Sequence, residues 1–129
     1  ILGDNIFEDN LKAAASSYSG EGAMILLKQV PDPQRYGVAI LDGDVVTEIQ
    51  EKPEAPTTSY AVTGIYFYDA KVFSVIRDLK PSKRGELEIT DVNNHYIQQK
   101  YMKSILLEGW WTDAGTPDSY RLANQLTME

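Results

Sequence analysis

Short apolar runs alternate along the chain with glycine, proline and acidic clusters. Ala23 to Val30 is an almost continuous apolar stretch closed by Pro31 and Pro33, which predicts a strand buried on both faces. Asp42-Gly43-Asp44 separates two β-rich runs, Tyr36 to Leu41 and Val45 to Gln50, and predicts a hairpin. Residues 51–59 carry two prolines and read as a loop. Tyr60 to Tyr68 is rich in β-branched and aromatic residues and reads as a central strand.

Helical spacing appears in four places. Ile6, Phe7, Leu11, Ala14, Ala15 and Tyr18 form one stripe, stopped by Ser19-Gly20. Val72, Phe73, Val75, Ile76 and Leu79 form the apolar side of a helix over 70–79, with Asp69 as its N-cap. Ile89 to Gln99 is the third. The fourth runs from Thr116 to Leu126, with Thr116 as N-cap and Pro117 in the first helical position. Met102 to Leu107 is a short strand, and Trp110 to Gly115 an aromatic–acidic–glycine loop. The alternation predicts one α/β domain over residues 1–129, three layers deep, with a mixed sheet. Ile1 to Asn5 reads as the end of a buried strand running into a loop, so the chain is expected to have been cut from something longer.

Composition narrows the function. With 129 residues, 43% of them hydrophobic, the chain can build one packed core. A net charge of -7 with no basic run argues against non-specific nucleic-acid binding, but not against a small phosphorylated substrate. The absence of cysteine excludes disulfides and zinc–thiolate sites, and fits a cytoplasmic setting. The lone His95 lies mid-helix and reads as structural. No apolar run reaches the length of a membrane span, so no membrane partner is expected.

Sheets of this class bind ligands beyond the carboxyl ends of their strands. Asp4, the pair Glu51-Lys52, and Asp113 each follow a strand-like run. Asp4 and Asp113 have two readings, as capping or turn residues and as carboxylates that share Mg²⁺ with substrate phosphates. Lys52 reads as an exposed surface lysine or as a point charge for a phosphate, with Glu51 accepting from sugar hydroxyls. Gly37 in Arg35-Tyr36-Gly37-Val38, and Gly64 in Val62-Thr63-Gly64, mark close backbone approach, either to a ligand or to a packed helix. Arg84 and Glu86 read as a salt-bridged loop.

Taken in order, Leu2-Gly3-Asp4-Asn5-Ile6-Phe7, Arg35-Tyr36-Gly37-Val38, Glu51-Lys52-Pro53, Tyr60 to Tyr66, Arg84 to Asp91 and Trp111 to Thr116 closely resemble the glucose-1-phosphate thymidylyltransferases, over essentially the whole chain. The resemblance implies a Rossmann-like nucleotidyltransferase fold, Mg²⁺ dependence and a homo-oligomer. It also implies transfer from dTTP to α-D-glucose 1-phosphate, giving pyrophosphate and dTDP-glucose for dTDP-rhamnose and related surface sugars. Asp4 and Asp113 match the metal-binding aspartates. Lys52 joins them as a catalytic residue. Gly37, Glu51, Lys52 and Val62 match the sugar-phosphate pocket, with Tyr36, Thr63, Gly64 and Trp111 nearby.

The family's Gly-x-Gly-Thr-Arg-Leu loop and its Pro-Lys pair, which wrap the triphosphate, have no match in residues 1–129. The chain is therefore expected to be the C-terminal portion of a short-form enzyme, with the N-terminal nucleotide-binding part missing and no turnover of its own. Specificity for UTP or CTP stays open, as does a sugar-phosphate-binding, regulatory or assembly module without turnover.

Overall fold

The computed structural model describes residues 1–79 and 88–128, so the predicted Arg84–Glu86 loop lies outside the described residues. In chain order the elements are β1 (Asn5–Phe7), α1 (Lys12–Ser17), β2 (Ala23–Gln29), β3 (Gly37–Asp42), β4 (Val45–Glu51), β5 (Tyr60–Tyr68), α2 (Val72–Asp78), α3 (Ile89–Gln98), β6 (Met102–Leu106), β7 (Trp111–Asp113) and α4 (Pro117–Thr127). A 3₁₀ turn, Pro33–Arg35, leads into β3.

Five strands form a mixed sheet in the order β4-β3-β5-β2-β6, while β1 and β7 form a separate antiparallel pair. Among the described residues, only β2 and β6 run parallel in the larger sheet. The double-sided burial of β2 explains the layering. Ala23, Ile25 and Leu27 pack with Val72 and Val75 of α2 and Val92 and Tyr96 of α3. Met24 and Leu26 face the other way, toward Ala14 of α1, Leu107 and Trp111. Ile25 and Leu26 are both 0% exposed, and burying a side chain of that size stabilises by about 1.5–3 kcal/mol. A polar residue at either would unseat a whole layer.

The hairpin forms as the Asp-Gly signal predicts. Asp42 pairs with Val45, and Gly43 adopts φ +62°, a conformation glycine takes without steric cost. Thr116 caps α4 in a capping box with Ser119, and Pro117 opens the helix. Among the described residues, no helix is long and apolar enough to cross a membrane.

Elsewhere the sequence pattern and the structure part. The helix predicted from Ile6 begins only at Lys12, because Asn5–Phe7 is drawn into a strand against Trp111–Asp113. The same pairing turns the predicted 110–115 loop into β7. Ile1 and Leu2 are 71% and 49% exposed, not the buried strand end expected. Phe73 is 68% exposed, since Val72, Val75, Ile76 and Leu79 already supply the inward stripe at helical spacing. Asp69 lies ahead of the cap position of α2. Its carboxylate accepts from the Lys71 amide and its carbonyl from the Val72 amide.

Candidate functional site

Glu51 ends β4, Asp113 ends β7 and Gly37 begins β3, and these strand ends meet at one cleft. The cleft there holds about 290 Å³, and Asp4, Tyr36, Gly37, Glu51, Lys52, Val62, Gly64, Trp111 and Asp113 all line it. Thr63 does not. It is fully buried, and its hydroxyl donates to the Leu26 carbonyl at 2.8 Å. The β2–β5 register slips at this point, from Ile25↔Tyr66 to Leu27↔Val62, and the Thr63 hydroxyl satisfies a carbonyl at that bulge.

At one end of the cleft two carboxylates converge. A Cβ built on Gly115 would sit 3.1 Å from Asp113 Oδ2 and 3.3 Å from Asp4 Oδ2, so glycine leaves room for both. The Ala114 amide donates to the Asp4 carbonyl at 2.7 Å and ties the two loops together. Asp113 Oδ1 accepts from the Tyr36 hydroxyl at 3.3 Å and from Arg35 at 3.5 Å. Among the described residues no third acid or histidine joins them into a protein-only metal cage. Two hard carboxylates with open space between them are a donor set suited to Mg²⁺, which keeps water and phosphate oxygens as its remaining ligands.

At the other end, Glu51 Oε2 accepts a 2.6 Å bond from the Thr90 hydroxyl of α3. Gly37 stands opposite Glu51 in the β3–β4 register. A Cβ on Gly37 would press to 3.3 Å from Glu51 Oε2. Lys52 has φ +43°, in the left-handed region that non-glycine residues avoid. Its amide donates to the Tyr36 carbonyl at 3.0 Å, which helps hold that conformation ahead of Pro53.

Sequence reasoning missed the residue that ties the Asp4 segment to β5 and β7. Asn5 Oδ1 accepts from the Gly64 amide and from Trp111 Nε1, each at 2.8 Å, while its Nδ2 donates to Asp4 Oδ1 at 3.0 Å. A Cβ on Gly64 would collide with the Asn5 amide. Gly64 is therefore a docking point for the Asp4 segment, reinforced by a 2.8 Å bond from the Leu2 amide to the Gly64 carbonyl. Only the tripeptide Gly3-Asp4-Asn5 hinted at this.

Two phenols complete the lining. Burial pushes Tyr36 up to about 12, with Asp113 adding to the shift. Burial also pushes Tyr66 up to about 12, helped by Glu51 and Asp4. Both remain neutral donors near neutral pH.

A larger concavity of about 730 Å³ lies elsewhere, lined by Gly22, Asp69, Lys71, His95 and Tyr96 among others. One of its acids, Asp69, is occupied. Asp69 accepts from the Gly22 amide at 2.7 Å, the Tyr96 hydroxyl at 2.8 Å and the Lys71 amide at 3.1 Å.

The chain resembles proteins of one chemical class. It is 42% identical, over 99% of its length, to the low-salt glycan biosynthesis nucleotidyltransferase of Haloferax volcanii, of which it covers 37%. It is 44% identical, over 92% of its length, to a glucose-1-phosphate thymidylyltransferase of Xanthomonas campestris pv. campestris, of which it covers 42%. A solved Bacillus anthracis chain, assigned as a glucose-1-phosphate thymidylyltransferase and crystallised with sucrose, superposes with a TM-score of 0.94 at 52% identity. All of this chain and 53% of that one are matched. The fold is thus the α/β nucleotidyltransferase fold, present in part. The matched stretch lies in the N-terminal portion of the homologues, which corrects the expectation of a C-terminal portion. Residues 1–129 match the nucleotidyl transferase family model from end to end, and the chain belongs to that family.

Proposed function

We propose that this chain carries the sugar-phosphate and metal-binding side of a sugar-1-phosphate nucleotidyltransferase site, with glucose 1-phosphate and dTTP as the substrates of the whole enzyme. The observation that carries the proposal is the pairing, within one 290 Å³ cleft, of the Asp4–Asp113 carboxylates with the Glu51–Lys52 corner. A cleft of that size suits one monosaccharide phosphate. The 44% identical Xanthomonas thymidylyltransferase and the 52% identical Bacillus chain support the choice of substrates.

In this reading Lys52 holds the phosphate of the sugar as a point charge. Glu51, oriented by Thr90, accepts from sugar hydroxyls. Asp4 and Asp113 would hold Mg²⁺, with Arg35 3.5 Å from Asp113. Bound there, Mg²⁺ supplies charge neutralisation and a template for phosphate oxygens. Tyr36 and Tyr66 donate without titrating. The sugar phosphate oxygen attacks the nucleotide α-phosphorus in line and pyrophosphate leaves, so positioning and charge neutralisation supply most of the catalysis.

Triphosphate-wrapping backbone donors of the Gly-x-Gly-Thr-Arg-Leu kind are not in this sequence. Loss of one preorganised donor costs about 3 kcal/mol in other enzymes, so the chain alone should bind the sugar phosphate without turnover. Calorimetric titration with glucose 1-phosphate, with and without Mg²⁺, tests the first half. A pyrophosphate-release assay with dTTP tests the second. Binding strengthened by Mg²⁺, with no release, is expected. Absence of binding would refute the site, and release at an enzyme's rate would refute the account of catalysis.

A further inference from the structure

Asn93, on α3, is 1% exposed and yet lines the cleft. Its Oδ1 accepts a 2.6 Å bond from the Tyr68 hydroxyl. Burial raises the Tyr68 phenol above its ordinary pKa, so the hydroxyl keeps its proton. That proton has no other acceptor among the described residues, which fixes the orientation of the amide: oxygen toward Tyr68, nitrogen away. The nitrogen, Nδ2, makes no hydrogen bond among the described residues. None of their side-chain polar atoms that are sealed from solvent lacks a partner. Nδ2 therefore keeps a small exposure to solvent, and of the concavities described above the cleft is the one that Asn93 lines.

A donor held this deep and left unpaired is costly unless an acceptor arrives. The acceptor has a definite chemistry. Thr90 stands one helical turn before Asn93 and is bonded to Glu51, so a carboxylate neighbours this part of the cleft. An anion would be repelled there, whereas a hydroxyl suits it, donating to Glu51 and accepting from Asn93.

We infer that Asn93 is a specificity-determining residue whose side-chain amide reads a hydroxyl of the bound sugar, with Tyr68 as the residue that positions it. The inference rests on the proposed sugar-phosphate reading of the same cleft. It adds a polarity to that site. The hydroxyl-bearing ring lies toward Glu51, Thr90 and Asn93, and the phosphate lies toward Lys52. A pocket that spends a buried donor on a hydroxyl discriminates strongly against a ligand lacking it.

The test uses the nitrogen-15-labelled chain. Glucose 1-phosphate should shift the Asn93 side-chain NH₂ resonances, and inorganic phosphate alone should not. Asn93→Asp keeps an acceptor for Tyr68 but removes the donor, and Asn93→Leu removes both. Each should weaken glucose 1-phosphate binding about tenfold, while Asn93→Leu, which adds no charge, should leave inorganic phosphate affinity within twofold. A merely structural Asn93 would move both affinities together or neither. If the backbone amides of Gly37 and Gly64 respond to glucose 1-phosphate while the Asn93 amide stays still and Asn93→Asp binds as wild type, the inference fails and the functional reading stands. If no cleft resonance responds to glucose 1-phosphate, the functional reading fails and takes the inference with it.

Discussion

Two of the concavities among the described residues hold carboxylates and use them differently. In the larger one, Asp69 spends its oxygens on Gly22, Lys71 and Tyr96 and so fastens the start of α2 to α3 and to the turn before β2. In the smaller one, Asp4 and Asp113 point two oxygens at a gap kept open by Gly115, and Asn93 leaves a donor unspent. Size ranks the first concavity above the second, but hydrogen-bonding capacity ranks them the other way. An acid whose lone pairs are filled by its own chain is part of the fold. Acids left facing each other are a cost to the fold and are kept for a ligand.

The sharpest way to break this contrast is to remove Asp69. Asp69→Ala orphans the Tyr96 hydroxyl and the Gly22 amide, and should cost about 2–3 kcal/mol of stability in urea denaturation. Glucose 1-phosphate affinity should stay within twofold. Lost binding with intact stability would exchange the roles of the two sites. Asp113→Asn should do the converse. It should weaken Mg²⁺-dependent binding at least about tenfold while shifting stability by less than about 1 kcal/mol, because it relieves repulsion from Asp4. A stability loss as large as that of Asp69→Ala would make Asp113 a structural acid.

Lys52→Gly probes the strained corner. Relief of roughly 1 kcal/mol of left-handed strain is partly offset by glycine's freedom in the unfolded chain, so stability should rise by up to about 0.5 kcal/mol. Affinity for inorganic phosphate should fall severalfold. Unchanged phosphate affinity would leave Lys52 as a surface lysine in an unusual turn.

The smallest effect is alkaline. The phenols of Tyr36 and Tyr66 are raised, by burial first and acidic neighbours second, to about 12. The stability they contribute is complete below the ordinary phenol pKa of about 10 and is lost as pH rises through about 12. Ultraviolet titration of the Tyr36→Phe and Tyr66→Phe variants should each delete a transition near that pH. Deletion of a transition near 10 instead would mean that the cleft is wetter than its geometry implies.

Much of this was legible in the sequence where the signal is local. The Ala23–Gln29 run, the Asp42-Gly43-Asp44 turn and the Thr116-Pro117 helix start depend on neighbours a few residues apart, and all three appear as read. The failures are non-local. Asn5–Phe7 is a strand only because Trp111–Asp113 lies beside it, and the Asn5–Trp111 bond joins positions 106 apart. A helical stripe counted along the sequence has no access to that partner. Glu51, Lys52 and Asp113 were legible through their places at strand ends, whereas Asp4, read as following a buried strand, stands just before β1. Thr63 was misread because alternation along a strand decides which face a residue takes, and Val62 and Gly64 hold the cleft face. Asn93 gave no signal, since its meaning lies in one bond from Tyr68 and in the bond its nitrogen does not make.

The central claim is that the smaller cleft, not the larger, is the sugar-phosphate site. The most direct measurement is a crystal structure of this chain with glucose 1-phosphate and Mg²⁺. Density for the sugar should lie against Glu51 and Thr90, with its phosphate within reach of Lys52 and a cation between Asp4 and Asp113. Density for the same ligand beside Asp69 and Tyr96, with the smaller cleft filled by water alone, would contradict the account.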